Sequence, residues 1–139
     1  MSELQIEIVS AEGHIHAGTA AMVFAPAEMG EVGITPGHAP LLTRLKPGAV
    51  RVKLAGGEEL PFFVGGGLLE VQPKLVTVMA DTALRAKDAD EAAAAAAKQA
   101  AEDALSNAAS DMDVARAQAE LVEAAARLQF VQNLKKASR

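Results

Sequence analysis

Apolar and polar residues alternate in short runs over the first 80 positions. Leu4, Ile6 and Ile8 alternate with Gln5, Glu7 and Val9, a period of two that marks a strand with one buried face. Ala11-Glu12-Gly13 turns the chain. Residues 14–17, 19–25 and 31–34 read as further strands, the last ended by Thr35-Pro36-Gly37, where Pro fixes φ and Gly accepts positive φ. Leu41–Leu45 follows, then a turn at Lys46-Pro47-Gly48, then Val50, Val52 and Leu54 alternating with Arg51 and Lys53. Ala55-Gly56-Gly57-Glu58 has the composition of a hairpin loop. Strands over 59–64, 68–72 and 75–79 are separated by a bend at Gly65-Gly66-Gly67 and a turn at Pro73-Lys74. Nine or ten short strands with turns between them predict an antiparallel sandwich or barrel.

The period then changes. Asp88 with Glu91 has the spacing of a capping box and predicts a helix over about Ala89–Leu105. Ser110 with Asp113 is a second capping pair, opening a helix over about Asp111–Lys136, roughly 39 Å long. Val114, Ala117, Leu121, Ala124, Leu128 and Val131 recur at spacings of three and four and form one stripe. The short link between the helices predicts an antiparallel hairpin. Leu105 is the only large apolar residue of the first helix, so the seam is mostly Ala, and each buried CH₂ it lacks forgoes about 0.8 kcal/mol. High helix propensity with weak packing predicts a hairpin that leaves its docking place without melting.

Composition sharpens the division. All eleven Gly lie at or before Gly67 and all six Pro at or before Pro73, whereas residues 83–139 hold neither and contain 21 Ala. The expected organisation is a β-sandwich domain over residues 1–84 and an Ala-rich helical hairpin over 85–139. The net charge is −5, with no basic face in either part, and the only aromatics are four Phe. Nucleic-acid binding therefore lacks both its electrostatic and its stacking terms. There is no Cys for a disulfide, a thiolate metal site or a nucleophile. No signal peptide or membrane-spanning run is visible.

Chemistry-bearing residues are sparse. His14 and His16, with Glu12 and His38, suggest a metal site, although two His on a strand are more often plain strand positions. The Gly65–Gly67 run lacks the Lys-Ser/Thr of a phosphate loop and reads as a bend. Glu58, Glu59 and Glu70 read as a solvated face. The least generic stretch is Glu31 to Leu42, where a Pro-stiffened loop presents Glu31 and His38, and such loops often bind partners. Met112-Asp113-x-x-Arg116-Ala117 opens the second helix. Its plain reading is a first-turn acid favourable to the helix dipole and an Arg116–Glu120 pair; its functional reading is an acid and a base offered to a polar ligand. Arg127, Lys135, Lys136 and Arg139 make the chain end basic, with Glu123 placed to pair Arg127.

The run Gly30-Glu31-Val32-Gly33-Ile34-x-Pro36-Gly37-His38-Ala39-Pro40-Leu41-Leu42 resembles the epsilon-subunit family of bacterial F-type ATP synthases. Val9-Ser10-Ala11-Glu12, Gly66-Gly67-Leu68-Leu69-Glu70-Val71-Gln72-Pro73 and Val76-Thr77-Val78-Met79-Ala80-Asp81-Thr82-Ala83 fit the same family. The likeness runs through essentially the whole chain. It implies a ten-stranded sandwich followed by a helical hairpin, in a non-catalytic subunit of the rotor stalk. The implied partners are the gamma subunit, the c-ring and the beta subunits of the catalytic head, with the membrane met only through the complex. The implied location is the cytoplasmic face of the bacterial inner membrane.

The resemblance further implies that Glu31, Gly33, Pro36 and His38 face the c-ring and gamma. It implies that the helices either fold back or extend along gamma to restrain ATP hydrolysis, with Arg116, Arg127, Lys135 and Lys136 meeting an acidic partner segment. Some members bind ATP through Ile/Leu-Asp-x-x-Arg-Ala, matched here by Met112, Asp113, Arg116 and Ala117. Glu123 and Ala126 replace two further arginines, so at most weak ATP binding and no cofactor is expected. Two readings from other classes stand beside this one. One is a stand-alone β-sandwich binding protein with a helical oligomerisation hairpin, and the other is a metal enzyme using His14, His16 and His38.

Overall fold

The structure is a computed structural model that describes residues 3–137. It divides into two compact units, Met1–Lys87 and Asp88–Arg139. The first holds eight strands: β1 (Leu4–Ser10), β2 (Gly13–Ala20), β3 (Met22–Ala27), β4 (Gly30–Ile34), β5 (Leu41–Lys53), β6 (Glu59–Val71), β7 (Leu75–Ala80) and β8 (Ala83–Arg85). They form one continuous sheet in the order β2-β1-β7-β6-β5-β3-β4, with β8 beside β6. All pairings are antiparallel except β1 with β7, which run parallel from Gln5 opposite Leu75 to Ser10 opposite Ala80. A sandwich at the start of the chain is thus as expected, but it is not wholly antiparallel.

The strand count differs from ten for a physical reason. Lys46-Pro47-Gly48 and Gly65-Gly66-Gly67 do not reverse the chain. They are corners within β5 and β6, two 13-residue strands that stay paired from Leu41 opposite Val71 to Lys53 opposite Glu59. The burial pattern changes phase at each corner. Leu45 is buried before the β5 corner and Val50 and Val52 after it; Phe62 and Val64 are buried before the β6 corner and Leu69 and Val71 after it. An odd-to-even change of this kind lets one strand line the same core from two layers. β7 and β8 follow the same bend, because the Thr82 carbonyl accepts from Gly65 N–H (2.9 Å) and Asp81 N–H donates to the Gly66 carbonyl (3.0 Å).

The core lies between the two layers. Leu4, Ile6 and Ile8 pack with Val23, Ile34, Val50, Val52, Leu69, Val71, Val76 and Val78, all fully buried. Burying a side chain of this size stabilises the fold by about 1.5–3 kcal/mol. The alternation at positions 4–8 therefore marked the buried face correctly.

The second unit holds α1 (Glu91–Ser106) and α2 (Asp111–Ala137), packed against each other. Its first cap is Asp90, not Asp88: the Asp90 carboxylate accepts from Ala93 N–H at 3.1 Å, while Ala86–Asp88 form a 3₁₀ turn. Asp88 lies two residues too early, at the end of the 3₁₀ segment. Glu91 therefore closes no capping box, and instead accepts from Lys135 Nζ at 2.9 Å, tying the start of α1 to the end of α2. The second cap is as expected, with Ser110 Oγ accepting from Asp113 N–H at 3.1 Å. The buried helix residues are mostly small: Ala94 and Ala101 in α1, and Ala117, Ala124, Phe130 and Val131 in α2. Phe130 lies one position off the predicted stripe and widens it.

The corner makes a sharp demand at Gly67, whose φ is +138°. A Cβ there would drive into the Met79 carbonyl oxygen and come within 2.9 Å of Ala80 Cα, neither of which can yield without moving backbone. Gly67→Ala should destabilise the sandwich by about 3 kcal/mol or more, read from denaturant melts, whereas Gly56→Ala, with open space at its Cβ, should change little.

Candidate functional site

The loop after β4 is built by local hydrogen bonds. His38 N–H donates to the Thr35 carbonyl (3.1 Å), closing the turn around Pro36 and Gly37, whose φ is +83°. Gly37 N–H donates to the Pro73 carbonyl (2.9 Å), and Gln5 N–H to that of Lys74 (2.8 Å). Two turns and the start of β1 are thereby joined into one stiff end of the sandwich. Glu3, Pro36, Gly37, Pro73 and Lys74 line a shallow recess there. His38 is half-buried, and its Nδ1 donates to the Ala39 carbonyl at 2.7 Å.

Glu31 does not share this loop. It lies within β4, and no hydrogen bond or ion pair joins it to His38. The Glu31 carboxylate accepts from Arg51 Nη2 at 3.1 and 3.2 Å, and the Glu59 carboxylate accepts from Arg51 Nη1 at 3.3 Å through both oxygens. The Arg51 guanidinium carbon stands 4.2 Å from the centre of the Phe24 ring. Gly33 lies between, and a Cβ on it would press to 2.8 Å from Met22 Cε and 3.4 Å from Phe24 Cε1. The four residues Glu31, Gly33, Pro36 and His38 therefore separate into a strand-face pair and a loop pair. Arg51 was legible only as an alternating polar position, and Glu59 only as solvated.

The outer face of the other layer carries an apolar strip. Leu42 is 65% exposed, Leu68 41% and Met79 36%. Leu68 stands directly opposite Met79 on β7 and Arg44 on β5, and Val9 of β1 pairs with Met79 on its far side. Leu68 and Met79 are direct neighbours and Leu42, opposite Glu70, is diagonal to Leu68, and apolar side chains grouped in this way on a solvated sheet face form a surface suited to being covered. The doublets Leu41-Leu42 and Leu68-Leu69 were its signal: in a strand one member of each must point outward.

The histidines do not converge. Ile15 forms a bulge between Ile8 opposite His16 and Val9 opposite His14, which leaves His14 exposed. His16 turns toward the core and lies against Phe62, with ring centres 4.9 Å apart. Its Nε2 is buried without a hydrogen-bond partner. Among the described residues no three His, Asp or Glu side chains gather as metal ligands. Burial, then His14, then Arg85 hold the His16 pKa below its ordinary value of 6.5. Arg85 reaches over this strand, donating from Nε to the Ile15 carbonyl (3.0 Å) and from Nη2 to that of His14 (3.2 Å).

In the hairpin, Asp113, Arg116 and Ala117 meet at an open groove of about 240 Å³ with Ala104, Asn107, Ala108 and Glu120. This is below the roughly 300–1,000 Å³ of ordinary ligand sites. Met112 is not among the residues lining the groove and is 75% exposed. Two carboxylates face one guanidinium there, and Arg116 forms no ion pair with Glu120. Arg127 is half-buried, and its Nε has no hydrogen-bond partner. Lys135 is bonded to Glu91, and Lys136 is exposed. Arg139 lies outside the described residues. No described helix is long and apolar enough to cross a membrane.

The chain thus joins a sandwich with a braced turn and an exposed apolar strip to a following helical hairpin. Each unit matches a family model: residues 3–86 that of the ATP synthase delta/epsilon chain β-sandwich domain, and residues 82–132 that of the delta/epsilon chain long α-helix domain. The chain belongs to the ATP synthase delta/epsilon family. It is 61% identical over 133 residues to the ATP synthase epsilon chain of Nitrosococcus oceani, covering 96% of this chain and 95% of that one. It is 58% identical over 135 residues to the ATP synthase epsilon chain of Thioalkalivibrio sulfidiphilus, covering 96% of each. A chain in the mitochondrial ATP synthase of Euglena gracilis, from a structure of its OSCP, F1 and c-ring, has the same fold. Its TM-score is 0.78 at 18% identity, over 100% of this chain and 83% of that one.

His16 provides a pH test. Its lowered pKa means that the unfolded chain binds more protons than the native one once pH falls below about 6.5. The stability it contributes is complete above 6.5 and is lost as pH falls through the lowered native value. Denaturant melts at pH 7.5 and pH 5.5 should show the wild type losing more stability than His16→Leu.

Proposed function

We propose that this chain is a non-catalytic rotor subunit of an F-type ATP synthase, coupling proton flow to ATP synthesis. The strip of Leu42, Leu68 and Met79 carries this reading, since it gives the sandwich an exposed apolar face of the kind that docks on another subunit. The gamma subunit is the partner of that strip. The stiff turn at Pro36 and His38, together with Glu31 and Gly33 on β4, meets the c-ring. The membrane is met through the complex, at the cytoplasmic face of the bacterial inner membrane. Membership of both units in one family favours this over a stand-alone binding protein.

The hairpin is the regulatory arm, restraining ATP hydrolysis when it leaves its folded form and brings Arg116, Arg127, Lys135 and Lys136 to an acidic segment of the beta subunit. Its seam of Ala94, Ala101, Ala117 and Ala124 supports this, because small side chains hold helices weakly. ATP binding at the hairpin is weak at most. The groove at Asp113 and Arg116 is small, and it offers one cation beside two carboxylates.

Leu68→Asp places a charge in the strip. It should weaken binding of the full chain to ATP synthase depleted of this subunit at least tenfold, about 1.4 kcal/mol, with little change in melting temperature. Unchanged binding removes the strip from the interface. Deleting residues 88–139 should raise ATP hydrolysis by the assembled complex while assembly survives. Hydrolysis that stays level removes inhibition from the hairpin's role.

A further inference from the structure

Glu31 is an exposed carboxylate on an edge strand, and a glutamate there would ordinarily sample many rotamers. Here it meets a guanidinium that is contacted from three strands at once. Phe24 of β3 lies under Arg51, Glu59 of β6 binds Nη1, and Glu31 of β4 binds Nη2. Each amino nitrogen spans both oxygens of one carboxylate. Gly33 stands opposite Phe24 on β4, and a Cβ there would push on the tip of Met22 while only touching the Phe24 ring. The two carboxylates differ in exposure: Glu59 is 39% exposed and Glu31 53%, so Glu59 is the anchor and Glu31 the presented end.

We propose that Arg51 is the positioning residue of Glu31: stacked on Phe24 and anchored by Glu59, its guanidinium fixes the Glu31 carboxylate on the open face of β4, ready to accept hydrogen bonds from the rotor ring. This rests on the reading of Glu31 as a rotor contact. Arginine suits the task and lysine does not. Its planar fork serves two carboxylates in one plane while its face stacks on a ring, whereas an ammonium has neither plane nor face. The role is orientation rather than stability, because exposed ion pairs of this kind contribute little to folding. Arg51 also leaves the two carboxylates sharing one positive charge, so the cluster stays net acidic and keeps acceptor capacity for a donor on the partner.

A double-mutant cycle on the full chain tests this, using Glu31→Gln, Arg51→Gln and both together, with Arg51→Lys as the conservative variant. Each is restored to ATP synthase depleted of the subunit, and both its affinity and ATP-driven proton pumping are measured. Glu31→Gln should weaken binding about tenfold and Arg51→Gln by most of that factor. The double variant should be no worse than Glu31→Gln. Arg51→Lys should not rescue, and melting temperatures should move by less than about 3 °C. A silent Glu31→Gln overturns the reading of Glu31 as a contact, and the inference with it. A damaging Glu31→Gln with a silent Arg51→Gln, with losses that add in the double variant, or with rescue by Arg51→Lys overturns the inference alone. Should Arg51→Gln not fold, Glu59→Gln takes its place: partial loss of binding that vanishes in the Glu31→Gln background is expected, and no loss overturns the proposal.

Discussion

The sandwich depends on one corner, where β5 and β6 turn together from one layer into the other while remaining paired. A strand can line a core from both layers only if its inward side changes from odd to even positions along the way. That change needs a place where the backbone bends more sharply than an L-residue with a side chain permits. Gly66 and Gly67, both at positive φ, supply it on β6, and β5 turns beside them at Pro47-Gly48 while staying paired to Gly65 and Val64. Neighbouring strands inherit the bend through Asp81 and Thr82, so eight strands close around one core without a second sheet being laid down separately. Everything displayed outside follows from the same turn. Leu42 and Leu68 face outward because Leu45 and Leu69 face inward, and Arg51 reaches Phe24 because Val50 and Val52 take the core.

Most of the fold was legible in the sequence because its signals are local. Alternation at positions 4–8, the Gly56-Gly57 loop and the Ser110 cap each involve residues within a few positions of one another. The misreadings fall where a local sign has two structural meanings. A Pro-Gly or Gly-Gly-Gly run reverses a chain or bends it, and only the partner strand decides which. Asp88 and Asp90 are both capable caps, and the 3₁₀ turn at Ala86–Asp88 chooses between them.

The candidate site was less legible for the same reason. Pro36 and His38 carry their own geometry, since a tight turn is written in consecutive residues. Glu31, Arg51 and Glu59 are 20 and 8 residues apart, and their convergence exists only once β3, β4, β5 and β6 are in register. Gly33 was equally unreadable, because its neighbours Phe24 and Met22 meet it only once β3 and β4 are paired. His16 makes the opposite point. The i, i+2 spacing that suggested a pair of ligands is broken by a bulge at Ile15, and the inner imidazole becomes part of the wall against Phe62.

The parallel pairing of β1 with β7 has a consequence for the order in which the protein is made. Leu4–Ser10 are synthesised first but find their second neighbour only when Leu75–Ala80 exist, some seventy residues later. Until then one edge of β1 is open, with an apolar face and unpaired backbone groups. On a ribosome the sandwich has to wait for nearly the whole unit to emerge, as non-local sheets do. The helices are built from contacts four residues apart and have no such delay. A nascent chain halted near residue 70 would therefore hold much of the apolar face of its core with nothing to close it, the stage at which a chaperone has the most to protect.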